Sequence, residues 1–446
     1  MQLSCSNLYK HSWYQCKISP NGNYLANCVD NRLVIRKNAP DLTILHVFDC
    51  LHPIKHVEWS PDSRHVMTAN YQASTVQVWS ITNTHWKSKI HDTSFGISRA
   101  RWGPASQSVI CSSELSLRLS VWMLKENRVI YMKYPKFMDK GCEVSPDGKY
   151  LAVMENRSGK DCLSVYTAPD IRLVKHFQID TEDAVNIQWS PNSHCIIVWD
   201  NCLYYKLLVY RPDGYLCGSY QAYGEGLGIK SLSWSRDSQL LAIGSYDQKV
   251  RILRTCTWQP ICEFFHAAAI KQFDYPNARI NRELQRSSSR EAIEYDQIVR
   301  RPVNIPILRP EYNTSNPKTG VGMCQFNANG HLLCSQDDSM PTTLWIWDTT
   351  KFQCLAVVTQ QRAIKHVAWH PSDPNMLIVT CDTSTLYIVN ILLDLDADED
   401  SARRIQITPV AGPSDDFIIR KFQFVSDGSS LLVMDKALFG LIAISN

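Results

Sequence analysis

Few residues of this 446-residue chain stand at spacings that chemistry requires. The run GEGLGIK, Gly224 to Lys230, is rich in glycine like a phosphate-binding loop. Its glycines are wrongly spaced, and a single Lys before Ser231 leads into a strand pattern, so it is not one. LDLDADED, Leu393 to Asp400, sets Asp394, Asp396 and Asp398 at the first three ligand positions of a calcium loop. Glu399 stands where that loop needs Gly and Ile405 where it needs Glu, so the run reads as an acidic hairpin tip ahead of Arg403 and Arg404. HExxH, GxSxG and GxxxxGK[ST] are absent. The 16 cysteines form no CxxC pair, and Cys28, Cys111 and Cys195 fall in apolar runs, so buried free thiols are expected rather than zinc ligands or disulfides. No catalytic, cofactor or metal site is assigned, and the expectation is a protein that is not an enzyme.

Two groups of polar residues survive this search. Lys55-His56 in IKHVEWSPDS and Lys365-His366 in IKHVAWHPSD occupy matching places in near-identical phrases, and Lys230 in GIKSLSW holds the same slot. They would form a cationic rim that contacts an acidic partner; a structural role is the alternative. Ser287, Ser288 and Ser289 lie between Arg286 and Arg290, where a phosphate would meet guanidinium groups.

The repeated phrase is one of nine. An apolar or aromatic anchor, a turn and an apolar run recur with anchors at Ile18, Trp59, Trp102, Val144, Trp189, Trp234, Phe326, Trp369 and Phe424. Most anchors follow one another at 41 to 45 residues, the period of a four-stranded propeller blade. Residues before the anchor alternate as in a half-buried strand, and Ser-Pro-Asp-Gly presets a turn. A third strand often ends in an aromatic, as in TVQVWS at Thr75 or LWIWD at Leu344. Trp347-Asp348 is the dipeptide that names the WD repeat, and Asp247 holds the place of its turn-stabilising Asp.

The fold expected is all-β: a WD-repeat β-propeller of about nine blade-like units in one closed ring. Met1 to Tyr9 would lend a last strand to the C-terminal blade. Residues 1–266 would hold six units, 267–320 an irregular insertion with a short helix within Arg279 to Arg301, and 321–446 the last three. Hydrophobic residues make up 44% and charged residues 20%, enough for a sizeable core. The net charge of +3, from 46 basic and 43 acidic residues, gives no electrostatic case for nucleic acid or an anionic membrane. The N-terminus carries no apolar signal segment, so a soluble cytoplasmic protein is expected.

Certain stretches go beyond a generic repeat. These are CLHPIKHVEWS at Cys50, TVQVWSI at Thr75, YMKYPK at Tyr131, VWDNCLYYKLLVY at Val198, LGIKSLSWSRDSQLLAIGSYDQKVRIL at Leu227, NPKTGVGM at Asn316 and LWIWD at Leu344. Together they resemble the WD repeat-containing protein 8 family, from about Cys16 to the C-terminus. The stretches around Gly228 and Asn316 are specific to that family. The resemblance implies a non-catalytic adaptor of centrosomes, centriolar satellites or spindle poles. Its implied partners are a coiled-coil anchoring protein and a kinesin-14 motor, and through them microtubule minus ends. It also implies roles in spindle assembly, centrosome maturation and cilium assembly. Two other readings stand beside it: a substrate receptor of a ubiquitin ligase, and a hydrolase or lyase with a central-channel site.

Overall fold

The computed structural model describes residues 3–168, 170–284, 293–309, 311, 313–314, 317–393 and 403–444. Ser287, Ser288, Ser289, Asn316 and the acidic run 394–400 lie outside them. Each repeat phrase folds into a blade of antiparallel strands. Blades 1 to 6 span 16–49, 56–91, 99–133, 142–178, 184–220 and 229–265. Blade 7 takes its four main strands from 321–359 and blade 8 from 366–411. Blade 9 combines Lys421–Phe424, Ser430–Met434 and Leu438–Ile444 with Leu3–Cys5 and Tyr9–Lys10 from the N-terminus. There Leu3 pairs with Ile444 and Cys5 with Ile442, so the expected N-terminal strand is present. The chain divides into two compact units. The first holds Met1–Asp200, Leu207–Ser219 and Gln423–Asn446; the second holds Asn201–Lys206 and Tyr220–Phe422.

The repeat phrase shows why the strands form where they do. Val57 and Trp59 alternate inward while His56 and Glu58 stay half-exposed. The anchor rings fill the space between sheets and carry one polar atom with them. Trp59 Nε1–H donates to the Lys17 carbonyl of the preceding blade at 3.0 Å. Trp102, Trp189 and Trp369 repeat the bond to Glu58, Glu143 and Gln325. A buried indole N–H needs such a partner, and a carbonyl one blade away supplies it.

The turns add a second seam. Ser60 Oγ donates to Asp62 Oδ1 at 2.5 Å and accepts the His65 N–H at 2.9 Å. The same knot forms at Ser19 with Asn21, Ser145 with Asp147, Ser190 with Asn192 and Ser235 with Asp237. The residue that leaves the turn has positive φ. It is glycine at Gly22 and Gly148, yet serine at Ser63 (φ 59°), Ser106 (54°) and Ser193 (61°). Each of these serines takes a backbone N–H from the turn of the preceding blade: Asn21 to Ser63 at 3.0 Å, Asp62 to Ser106 at 3.0 Å and Asp147 to Ser193 at 3.1 Å. The hydroxyl thus offsets the left-handed strain that glycine would avoid.

A hydrogen-bond network joins blades 6 and 7. Trp347 Nε1–H donates to Ser335 Oγ at 2.7 Å. Ser335 in turn faces His266 Nε2 at 2.8 Å, and His266 Nδ1 faces the Gln248 carbonyl at 2.8 Å. The carbonyl can only accept, so Nδ1 carries the proton and Ser335 donates to Nε2. Phe264 stacks on Trp347 at 4.5 Å, and Trp345 stacks with Trp347 at 5.5 Å. Burial lowers the His266 pKa, and the direction of the network agrees, because a doubly protonated ring would leave the serine hydroxyl without an acceptor.

Among its described residues, the segment expected as an irregular insertion carries strands; of Arg279 to Arg301, where a short helix was expected, residues 285–292 lie outside the described residues. Arg279–Glu283 pairs in parallel with the outer strand of blade 7, Gln353–Thr359, and Tyr295–Gln297 pairs beyond it. Ala269–Ile270 pairs with Val303–Asn304. Tyr275 packs edge-on over Trp345 and Trp347 at 5.8 Å, and Arg301 donates to the carbonyls of Asp274, Tyr275 and Ala278. Arg279–Glu283 is extended because the open edge of blade 7 offers it backbone partners. Cys28 and Cys111 are buried free thiols as expected, and Cys195 is half-buried.

Two outcomes follow. Ser63→Ala keeps the positive φ and loses a hydrogen bond of about 1 kcal/mol, whereas Ser63→Gly loses the bond but removes a left-handed cost of about 1–2 kcal/mol. Urea unfolding should therefore place Ser63→Ala below both the wild type and Ser63→Gly; a Ser63→Ala midpoint equal to the wild type refutes the role of the hydroxyl, and one above Ser63→Gly refutes the backbone cost. His266 is held neutral, so its contribution is present above about pH 6.5 and is lost as pH falls below it. Between about pH 7.5 and 5.5 the urea midpoint should fall, and His266→Gln should flatten that slope.

Candidate partner-docking site

Lys55, Lys230 and Lys365 begin equivalent strands but meet different surroundings. Lys230 sits at a bulge, where pairing of Ile229–Trp234 with Leu240–Ser245 slips between Ile229 and Ser231. Its ammonium reaches Asp338 at 2.7 Å and the Thr319 carbonyl at 2.7 Å, with Tyr246 beneath it at 4.7 Å, and the side chain is 10% exposed. The cation expected to face a partner is therefore committed within the fold.

Its neighbours explain two stretches singled out in the sequence. A Cβ on Gly322 would lie 2.1 Å from Asp338 Oδ1, so a side chain there would displace the carboxylate that holds Lys230. Gly320 has φ +81°, and a Cβ there would meet Tyr246 Cα at 2.4 Å. Gly228 lies against Tyr204 and Tyr205 backbone, where a Cβ would come within 2.9 Å. The glycines of LGIKSLSW and of TGVGM thus line one close-packed seam within the second unit.

The other cations remain accessible. Lys55 Nζ lies 4.0 Å above the ring of Trp13, which is exposed and has φ 57°. Gln15 fixes this corner: its Nε2 donates to the Lys55 carbonyl at 2.9 Å and its Oε1 accepts the Val57 N–H at 3.0 Å. His56 lies 3.3 Å from Glu58 and 6.0 Å from the ring of Tyr71. His56 and Glu58 also line an open groove of about 490 Å³ with Lys17, Pro20, Gln423 and Phe424. In the second unit Lys365 and His366 are exposed, and His366 lies in the field of Asp382 and Lys421. Trp13 was not signalled by the repeat, because it precedes the first phrase.

A second groove, of about 570 Å³, borders the added strand Arg279–Glu283. Glu283 is buried there, accepting from Tyr387 Oη at 3.1 Å and from the Gln361 N–H at 2.8 Å. Arg362, Asp382 and the hydroxyl run Thr383-Ser384-Thr385 line the rest. Arg251, missed in the sequence beside its recognised partner Asp247, is buried with Asp247 at 2.5 Å and Glu263 at 2.9 Å.

One cluster has the residue types of a nucleophilic relay. Ser164 Oγ lies 2.9 Å from His176 Nδ1, and Glu155 lies 3.8 Å from the same nitrogen. A relay needs serine and carboxylate on opposite nitrogens, and Ser164 is fully buried, so the cluster is structural. Among the described residues no group of three or more His, Cys, Asp or Glu is placed to hold a metal, and no helix is long and apolar enough to cross a membrane.

Nine blades with apolar or aromatic anchors, five of them Trp, together with Ser-Pro-Asp turns and a Trp–Ser–His network, define a WD-repeat β-propeller protein. The family model for the WD domain, G-beta repeat, matches residues 214–253. The mouse WD repeat-containing protein WRAP73 is 38% identical over 397 residues, covering 85% of each chain. An uncharacterised WD repeat-containing protein of Schizosaccharomyces pombe is 22% identical over 376 residues, covering 81% of this chain and 75% of that one. The C-terminal WD40 domain of Sif2 shares the fold with a TM-score of 0.53 at 11% identity, covering 99% of both chains. The chain belongs to the WD-repeat family, alongside mouse WRAP73.

Lys230→Ala should lower stability by about 1–2 kcal/mol, since it strips a charged hydrogen bond from Asp338 and a carbonyl. Lys365→Ala should change it by less than about 0.5 kcal/mol. Equal urea midpoints for the two variants would refute this division of roles.

Proposed function

We propose that the protein is a non-catalytic adaptor of the WD repeat-containing protein 8 type. It acts at centrosomes, centriolar satellites or spindle poles, within the cytoplasmic cytoskeleton. In this reading it binds a coiled-coil anchoring protein and, through that complex, a kinesin-14 motor and microtubule minus ends. It thereby supports spindle assembly, centrosome maturation and cilium assembly. The observation that carries the reading is the seam around Lys230. The two sequence stretches specific to that family pack on each other: Lys230 donates to the Thr319 carbonyl, and Gly320 lies against the backbone of Tyr246 so closely that a Cβ would clash. Identity to mouse WRAP73 across 85% of the chain supports the same branch of WD-repeat proteins.

The mechanism rests on separate exposed contacts rather than on one cavity. Lys55 with Trp13, His56, and Lys365 with His366 offer cationic and aromatic groups to an acidic, helical partner surface. Weak contacts made together give avidity. Phosphorylation at Ser287, Ser288 or Ser289 would add charge beside Arg286 and Arg290 and tune such contacts.

Purification of the tagged protein from dividing cells tests the reading. A coiled-coil spindle-pole protein should co-purify in stoichiometric amount, and a Lys55→Ala/Lys365→Ala variant should weaken that association about tenfold or more. Recovery of cullin-ligase subunits would favour the ubiquitin-ligase reading instead, and recovery of the chain alone would overturn the adaptor.

A further inference from the structure

The outer strand of a propeller blade leaves one row of backbone hydrogen-bonding groups unpaired, and proteins guard such edges. Here the guards can be read strand by strand. Blade 2 ends in Lys87–His91 with Lys87 and Lys89, blade 3 in Arg128–Lys133, and blade 4 in Arg172–Gln178 with Lys175. Blade 5 ends in Leu216–Tyr220, interrupted by Gly218, and blade 6 in Gln259–Phe265 with Pro260. Blade 8 carries Arg403, Arg404 and Pro409. Blade 1 ends in Ile44–Asp49, ILHVFD, which has no lysine, arginine, proline or glycine.

Blade 7 shows what an unguarded edge of this kind does. Its outer strand bulges at Leu355, since Ile346 pairs with Ala356 and Trp347 with Cys354. The added strand Arg279–Glu283 runs parallel along Ala356 to Thr359, the residues just past the bulge. Blade 1 has the same bulge: Ile35 pairs with His46 and Arg36 with Ile44, which leaves Leu45 unpaired. His46, Val47, Phe48 and Asp49 therefore correspond to Ala356, Val357, Val358 and Thr359. The covered Val357 is 0% exposed and its counterpart Val47 is 52% exposed; Leu355 is 7% exposed and Leu45 is 42%. In blades 2, 3, 4 and 6 the place of Val47 falls to Lys89, Tyr131, His176 and Glu263, by pairing opposite Gln77, Ser120, Ser164 and Arg251. Tyr131, His176 and Glu263 are occupied by Arg118, Ser164 and Arg251.

We propose that the outer edge of blade 1, His46 to Asp49, is a docking site for an extended segment of a partner protein, which adds as a parallel fifth strand as Arg279–Glu283 does on blade 7. The segment would carry β-branched apolar residues at alternate positions, to cover Leu45 and Val47, and no proline. A second copy of this chain fits less well. Two copies of one edge related by a two-fold axis must pair antiparallel, whereas the strand on blade 7 is parallel. The inference stands apart from the centrosomal reading, since it depends only on the edge.

The test uses the full chain and a seven-residue peptide of alternating valine and threonine capped by lysine. A control peptide is N-methylated at alternate residues and cannot pair along one edge. Hydrogen–deuterium exchange should show the first peptide protecting amides within 44–49, and anisotropy should show saturable binding. Val47→Lys should weaken binding about tenfold or more, while Val47→Thr should retain it. Val47 is half-exposed, so both variants should unfold near the wild-type midpoint. Equal binding of the methylated peptide, or no effect of Val47→Lys, overturns the proposal. So does sedimentation showing that the chain dimerises and that Val47→Lys dissolves the dimer, which would make a second copy the occupant.

Discussion

A small sheet with two apolar faces has no stable state in water until both faces are covered. Blade 1 illustrates the constraint: Leu33 and Ile35 are fully buried, and their cover includes Val57 and Trp59 from the next blade. Everything else in the fold serves that mutual covering. The indole anchors bring large apolar area to the interfaces, and Trp59, Trp102, Trp189 and Trp369 discharge their N–H groups on the neighbouring backbone. The serines at turn exits tie the same neighbours at a second level. Blade-to-blade contact is therefore both apolar and directional, which fixes register as well as proximity.

Much of this was legible because the signals are local. Anchor, turn and following strand lie within about ten residues, so the sequence displays nine units that match nine sheets. The added strand Arg279–Glu283 was not legible. Its composition, RINRE, is polar, and it extends only because blade 7 offers an edge and because Tyr387 and Gln361 satisfy the buried Glu283. Tertiary contacts of that kind override local preference.

The docking residues divide the same way. Lys55, Lys230 and Lys365 look equivalent by position, and His56 and His366 reinforce the impression. Position along the strand was read well; environment was not. Lys230 is distinguished by Asp338 and by the glycine that makes room for it, both far away in sequence. Trp13 joins Lys55 from outside the repeat pattern. Periodicity can locate a slot, but only packing decides whether the slot faces the solvent.

The distribution of thiols has a practical consequence. Ten cysteines are buried, spread over blades 1, 3, 4, 7 and 8 and the link after blade 1, while Cys5, Cys217 and Cys256 are exposed. Burial also raises the thiols it hides, Cys50 and Cys324 to about 11, so they are poor nucleophiles while packed. An alkylating reagent applied to the native protein would mark the exposed three and then report blades 1, 3, 4, 7 and 8 as they open. The chain thus carries, in its own unpaired sulfur atoms, a set of timers for the order in which its blades come apart.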